Sequence, residues 1–258
     1  MMDVDAFVRV EHRDTVSYVV FDRPDRMNAL PNAGWDVFER RLREADAEPS
    51  TRSIVVTGAG RAFSAGGDTS SIAAGHESER PAVRRVRHNG LRLVDTLLNL
   101  EKPTVAMVNG AAVGIGATVA LLCDCVIMST SARIGDTHVP LGIVAGDGAI
   151  AVMPLLIGVH RAKELLITGR LVGADEALAV GLVNAVVEPD ELAEAARDLA
   201  KRLGAAPTYA VRATKLVVNR WLRFNAELAL ETSFAYEELS MGLPEHADAM
   251  ARFLARPR

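Results

Sequence analysis

The chain has 258 residues, 49% of them hydrophobic and 24% charged, enough for one large domain or a domain with an appendage that buries roughly 70 to 75% of its unfolded surface. Lys and Arg number 29 against 33 Asp and Glu, a formal charge of −4, and the basic residues are scattered, which excludes the electrostatic footprint of a nucleic-acid binder. The two cysteines, Cys123 and Cys125, make neither a disulfide framework nor a zinc set; with an N-terminus that has no basic start and no apolar signal core, they point to a reducing cytoplasm.

In chain order, residues 7–10 and 16–21 read as strands, followed by a turn at Asp22-Arg23-Pro24-Asp25. A helix is expected over 32–47, with Trp35, Phe38 and Leu42 on one face; Pro49 and Ser50 end it and residues 54–57 resume a strand. Residues 69–80, small and polar without a period, read as a mobile connection. A long helix follows over 82–100, then a strand at 104–108, a short buried helix at 117–122 and a strand at 125–128 whose flanking Cys123 and Cys125 would face opposite ways. The apolar run from Val105 to Met128 is no membrane span, because Asn109, Gly110, Gly114, Gly116 and Asp124 interrupt it. Strands alternating with helices predict an α/β fold with parallel pairing. From Gly148 the chain turns helical, over 148–157, 161–168, 174–180, 191–203, 208–219, 221–241 and 246–254. This tail either packs against other subunits or closes the same chain's core. Trp35, Trp221, Phe224 and Phe234 read as core or interface anchors, and His12, His76, His88, His160 and His246 as solvated or capping residues.

Two glycine-rich turns carry the most chemistry. Phe63-Ser64-Ala65-Gly66-Gly67-Asp68 and Asn109-Gly110-Ala111-Ala112-Val113-Gly114-Ile115-Gly116 each follow a strand and offer peptide N–H groups free of side-chain bulk. A pair of fixed peptide donors can stabilise one developing oxyanion, at about 3 kcal/mol per donor. A nucleophile elbow, a zinc-protease helix, a P-loop and a dinucleotide fingerprint are all missing.

Around those turns, Phe21-Asp22-Arg23-Pro24, Met27-Asn28-Ala29-Leu30, Gly60-Arg61-Ala62-Phe63-Ser64-Ala65-Gly66-Gly67-Asp68 and Lys102-Pro103-Thr104-Val105-Ala106-Met107-Val108-Asn109-Gly110 resemble the enoyl-CoA hydratase/isomerase (crotonase) family. The resemblance runs from about residue 7 to the C-terminus. It implies a spiral of ββα repeats over residues 1–200, a C-terminal helical trimerisation region over 201–258, and a homotrimer or hexamer. It also implies an acyl-CoA thioester as partner, with its carbonyl between the N–H groups of Gly67 and Ile115. Arg26, Met27, Ala65, Asp68, Gly114, Thr118 and Gly146 would then lie along the substrate path. No metal and no cofactor beyond the coenzyme A of the substrate are expected.

Hydratases of this family use two glutamates, and the matching positions here hold Thr118 and His138. What the chain offers instead is His138 and Asp147 in a Pro- and Gly-punctuated loop, where a turn could bring them within hydrogen-bond reach. A histidine oriented by an aspartate is a competent general base near neutral pH. Asp147 also stands where it would make an ordinary helix N-cap, and His138 could be a packed histidine bonded to backbone. Asp136 is a secondary candidate and Asp124 reads as structural. The loop further resembles the 6-oxocamphor hydrolase branch of the superfamily, which hydrolyses a carbon–carbon bond in cyclic β-diketones. That branch implies a C-terminal carboxylate, for which Glu237 is the counterpart, and a second histidine at the position of Ile115, which this chain lacks.

Overall fold

The computed structural model describes residues 3–68 and 81–255; the connection expected at 69–80 lies outside the described residues. β1 (Val8–Arg13) and β2 (Val16–Phe21) form an antiparallel hairpin, turned at Asp14 with φ 54°. β3 (Ser53–Gly58), β5 (Thr104–Val108), β7 (Cys125–Ser129) and β10 (Ala185–Val187) extend it in parallel, giving the order β1-β2-β3-β5-β7-β10. A second sheet runs β4 (Ala62–Ser64), β6 (Ala111–Val113), β8 (Arg133–Gly135) and β9 (Val172–Gly173), parallel except for β9. After the β1–β2 hairpin, whose two strands share the first sheet, the next two repeats place one strand in each sheet before the helix: α2 (Pro81–Asn99) follows β4 and α3 (Ile115–Leu122) follows β6. These are the ββα units. The second-sheet strands escaped the sequence reading because two or three residues are too few for alternation to register.

All six positions of β2 are buried, because both faces of the first sheet are covered. Val16, Tyr18 and Val20, with Val55, Val105 and Ile127, pack on Leu192, Ala196 and Ala200 of α7 (Leu192–Ala205). The alternate residues Val19 and Phe21 enter the main core with Phe38 and Leu42 of α1 (Asn32–Ala47). Phe21 is the hub there, its ring 4.6 Å from Phe38, 5.6 Å from Phe63 and 5.8 Å from Trp35.

The later helices are α4 (Gly148–Ile157), α5 (Val159–Thr168), α6 (Ala174–Ala179), α8 (Thr208–Met241) and α9 (Pro244–Leu254). The segments expected at 208–219 and 221–241 form a single helix of 34 residues, since nothing between them breaks it. One face of α8 closes this chain's own core. Lys215 Nζ there donates to Lys102 O at 2.7 Å and pairs with Asp124 at 2.8 Å, and Asn219 Nδ2 donates to Leu98 O at 2.9 Å. Asp124 also accepts from Thr104 N and Oγ1, which makes it structural. Trp35 and Phe234 are core residues, whereas Trp221 and Phe224 are exposed on the outer face of α8. Cys123 caps the end of α3 and Cys125 opens β7, so the two do not share a strand. No helix among the described residues is long and apolar enough to cross a membrane.

Phe38 is fully buried in the aromatic cluster. Phe38→Ala is expected to destabilise the fold by about 3 to 5 kcal/mol, read from the shift of a urea unfolding midpoint.

Candidate active site

Residues 27–30 are zipped to 64–68. Ala65 N donates to Met27 O, Leu30 N to Gly66 O, both at 2.9 Å, and Asp68 N to Leu30 O at 3.0 Å. In a trans peptide the N–H and C=O point opposite ways. With Gly66 O bonded to Leu30, the Gly67 N–H turns away from Leu30, and it donates to no acceptor among the described residues. Ile115 is the first residue of α3, where helix geometry leaves the N–H without an intrahelical partner. Gly114 before it has φ 56° and ψ −125°, a conformation that a side chain would strain. The two turns meet backbone to backbone. A Cβ on Gly66 would lie 2.7 Å from Val113 O and 3.7 Å from Ile115 N. Both turns open onto one cavity of about 570 Å³.

His138, Asp147 and Glu237 line the same cavity. His138 leans on the second turn, its Cε1 3.6 Å from where a Cβ of Gly114 would stand. Its Nδ1 bonds Asp136 Oδ1 at 2.8 Å, and Asp136 also accepts from the His138 backbone N at 3.0 Å. The hydrogen bond expected between His138 and Asp147 is thus made by Asp136, which sits two residues earlier in the same loop and reaches both groups. Asp147 is held elsewhere. As N-cap of α4, its Oδ1 accepts from Ala149 N at 3.3 Å and from Thr118 Oγ1 at 2.6 Å. Thr118, at the first of the two glutamate positions, therefore lies behind the cavity as a clamp on Asp147. Glu237, on α8, places Oε1 3.9 Å from His138 Nε2.

Buried oxygens Asp136 Oδ2, Asp147 Oδ2 and Glu237 Oε2 have no hydrogen-bond partner. Asp136 and Asp147 each bring a carboxylate oxygen, and His138 a ring nitrogen, within 4.8 Å of one another, a spacing that suits an ion-paired group. Burial opposes the His138 imidazolium, but the Asp136 carboxylate, by charge and hydrogen bond, and then Asp147 and Glu237 lift it well above 6.5. Burial would raise Asp136, and His138 overrides it, holding that carboxyl below 3.8. Burial and the charge of Asp136 raise Asp147 above 3.8. Burial pushes Glu237 up to about 8, with His138 opposing and Asp147 and Asp136 adding.

Of the remaining expected residues, Met27, Ala65 and Gly114 line the cavity. Arg26 points into solvent beside Asp25, and Asp68 is tied to Arg23 at 3.0 Å, so neither reaches the cavity wall. Gly146 lies behind Glu237, its carbonyl accepting from Ser233 Oγ at 2.7 Å. His246 is fully buried and bonds Leu141 O through Nδ1 at 2.6 Å, a structural role in place of the solvated one expected. Trp35, Phe234, Met241 and Phe253 supply apolar wall that the sequence did not mark as such; the α8 residues among them were hidden by distance along the chain.

Gly67 and Ile115, whose N–H groups meet no acceptor among the described residues, thus line one cavity with His138, Asp147 and Glu237. The enoyl-CoA hydratase/isomerase family profile matches residues 11–249, and the chain belongs to that family. It is 33% identical over 254 residues to a short-chain-enoyl-CoA hydratase of Clostridium acetobutylicum, covering 96% of this chain and 95% of that protein. It is 32% identical over 259 residues to 4-chlorobenzoyl coenzyme A dehalogenase-1 of Arthrobacter sp., covering 98% and 92%. The crystal structure of an enoyl-CoA hydratase/isomerase from Mycobacterium paratuberculosis superposes with a TM-score of 0.90 at 30% identity, covering 96% of this chain and 98% of that one.

Glu237 rises from 4.5 to about 8, so the folded protein keeps a proton that the unfolded chain releases. Its stabilising contribution is complete below about pH 4.5 and is lost as pH rises through about 8. His138, raised from 6.5, acts in the same direction. Urea unfolding between about pH 5 and 8 is expected to show stability falling with pH, and falling distinctly less in Glu237→Gln; equal slopes would contradict the burial of this carboxyl.

Proposed function

We propose that this protein is an acyl-CoA enzyme that adds water to, or moves a proton within, an enoyl thioester, with His138 and Asp147 in place of the usual glutamate pair. The observation that supports the reading is that Gly67 and Ile115 line one cavity with His138, Asp147 and Glu237. The thioester oxygen accepts from both N–H groups, which favour the enolate over the ground-state carbonyl. The proton occupancies assign the roles. Asp147 has one oxygen tied by Thr118 and Ala149 and the other unbonded, and its raised affinity for protons suits it to take one from water as the oxygen bonds to the β-carbon. His138, held as imidazolium against Asp136, returns a proton to the α-carbon as the enolate collapses. The 3.9 Å between His138 Nε2 and Glu237 Oε1 is long for a direct bond and suits one bridging water.

A second reading is hydrolysis of a carbon–carbon bond in a β-diketone, free or CoA-linked, by the same water activation. The observation favouring it is Glu237 beside His138, with Thr118 where a glutamate would serve hydration. The reading of residues 201–258 as an oligomerisation region rests on Val217, Trp221, Phe224 and Leu228, spaced four, three and four apart on α8 and more than half exposed. That stripe suits contact between copies in a homotrimer or hexamer.

Purified protein is expected to convert a short enoyl-CoA to the 3-hydroxyacyl product. Failure across chain lengths with ring opening of a diketone would favour the second reading. Failure of both, with acyl-CoA still raising the melting temperature, would mark a silent CoA-binding homologue. His138→Ala and Asp147→Asn should each lower kcat by about a hundredfold or more while acyl-CoA binding survives. Because His138 acts as the acid, the rate should fall on the alkaline side, and Asp136→Asn should move that limb to lower pH.

A further inference from the structure

Arg23 is 8% exposed and touches no part of the cavity, yet it is wired to it. Its Nη1 donates to Ala29 O at 2.7 Å. Ala29 O and Leu30 N–H are the two ends of one peptide, and that N–H donates to Gly66 O at 2.9 Å. Gly66 O and Gly67 N–H are the two ends of the next peptide, and Gly67 lines the cavity with its N–H donating to no acceptor among the described residues. A cation therefore stands at the head of a chain of two peptides that ends on the thioester donor.

We propose that Arg23 is a polarising and positioning residue for the oxyanion hole, acting on Gly67 N–H through the peptides 29–30 and 66–67. Hydrogen bonds in series strengthen one another, by roughly 10 to 30% per bond, and a guanidinium is a permanent donor at the head of the series. The surroundings hold it there. Its carbon lies 4.6 Å from the centre of the Phe7 ring, and Asp68 Oδ2 accepts from the same Nη1 at 3.0 Å. The two side chains are 9% and 13% exposed, which limits screening by salt. Asp68 follows Gly67 directly and its N–H bonds Leu30 O, so the carboxylate fixes the far side of the same seam. The second donor, Ile115, has no such cation on its peptide among the described residues, Gly114 O accepting from Thr118 N instead, and draws on the positive end of α3.

The inference rests on the thioester binding at Gly67 and Ile115, and the test separates the two claims. The carbonyl stretch of a saturated acyl-CoA labelled with ¹³C at the thioester is read by infrared difference spectroscopy in wild type, Arg23→Met and Asp68→Asn. Wild type should lower the stretch relative to free ligand; no lowering would remove the oxyanion-hole reading itself. Arg23→Met should lose a clear part of the lowering, with kcat falling about ten- to a hundredfold, less than for loss of a whole donor, and KM changing less than about threefold. Arg23→Lys should regain part of both. Asp68→Asn leaves the cation on Ala29 O and should keep the full lowering. An unchanged stretch in Arg23→Met, or an equal loss in Asp68→Asn, would reduce the pair to a structural clasp and overturn the relay. If Arg23→Met does not fold, Asp68→Asn and Arg23→Lys decide: loss of the lowering in the first, or its absence in the second, overturns the proposal.

Discussion

The site depends on a constraint that is mostly backbone. Three stretches, 27–30, 64–68 and 113–116, approach closely enough that a Cβ at Gly66 or Gly116 would clash, with the Ser64 hydroxyl the small side chain bridging Asn28 O and Gly66 N. Packing of this kind normally consumes every peptide group, since an unbonded buried N–H is costly. Here the seam between Leu30 and Gly66 turns one N–H outward, and the start of α3 leaves another. Neither meets an acceptor among the described residues, and on the proposed reading the acceptor comes with the substrate. A thioester oxygen that becomes an enolate is such an acceptor, and it gains most when its charge is largest.

The second half of the site follows from crowding charges in a small buried volume. Three carboxyl groups crowd one imidazole, Asp147 and Glu237 with it on the cavity wall and Asp136 bonded to its Nδ1 away from that wall, too many negative charges for all to be ionised at once. His138 takes a proton against Asp136, Glu237 keeps one to about 8, and Asp147 is left with a free oxygen and a raised affinity for protons. On the proposed reading, proton donor and proton acceptor are set apart by environment rather than by residue type. Thr118 matters because it ties Asp147 down, keeping its unbonded oxygen fixed as α4 begins.

Much of this was legible in the sequence. The buried strands appeared as apolar runs because both faces of the first sheet are covered, and the glycine turns announced themselves because a side chain would be strained at Gly66, with φ 87°, and at Gly114, where φ 56° is joined to ψ −125°. The partner of His138 was not legible. Asp136 and Asp147 are both near in sequence, and the choice was made by the helix cap on α4, a competition that spacing cannot rank. Arg26 and Asp68 looked like path residues by position, but a solvent-facing turn and a buried ion pair removed them from the wall. Glu237 became a site residue only through the packing of α8 on α4, across some ninety residues of chain. The residue number alone held no sign of it; the family resemblance did.

The central claim is that a thioester oxygen lies between Gly67 and Ile115. A crystal structure with a slowly turned-over acyl-CoA tests it most directly. The account predicts the thioester oxygen within about 2.7 to 3.1 Å of both backbone nitrogens, with His138 and Asp147 on the acyl side. A thioester bound with its oxygen directed elsewhere, or bridging only one of the two nitrogens, would contradict it.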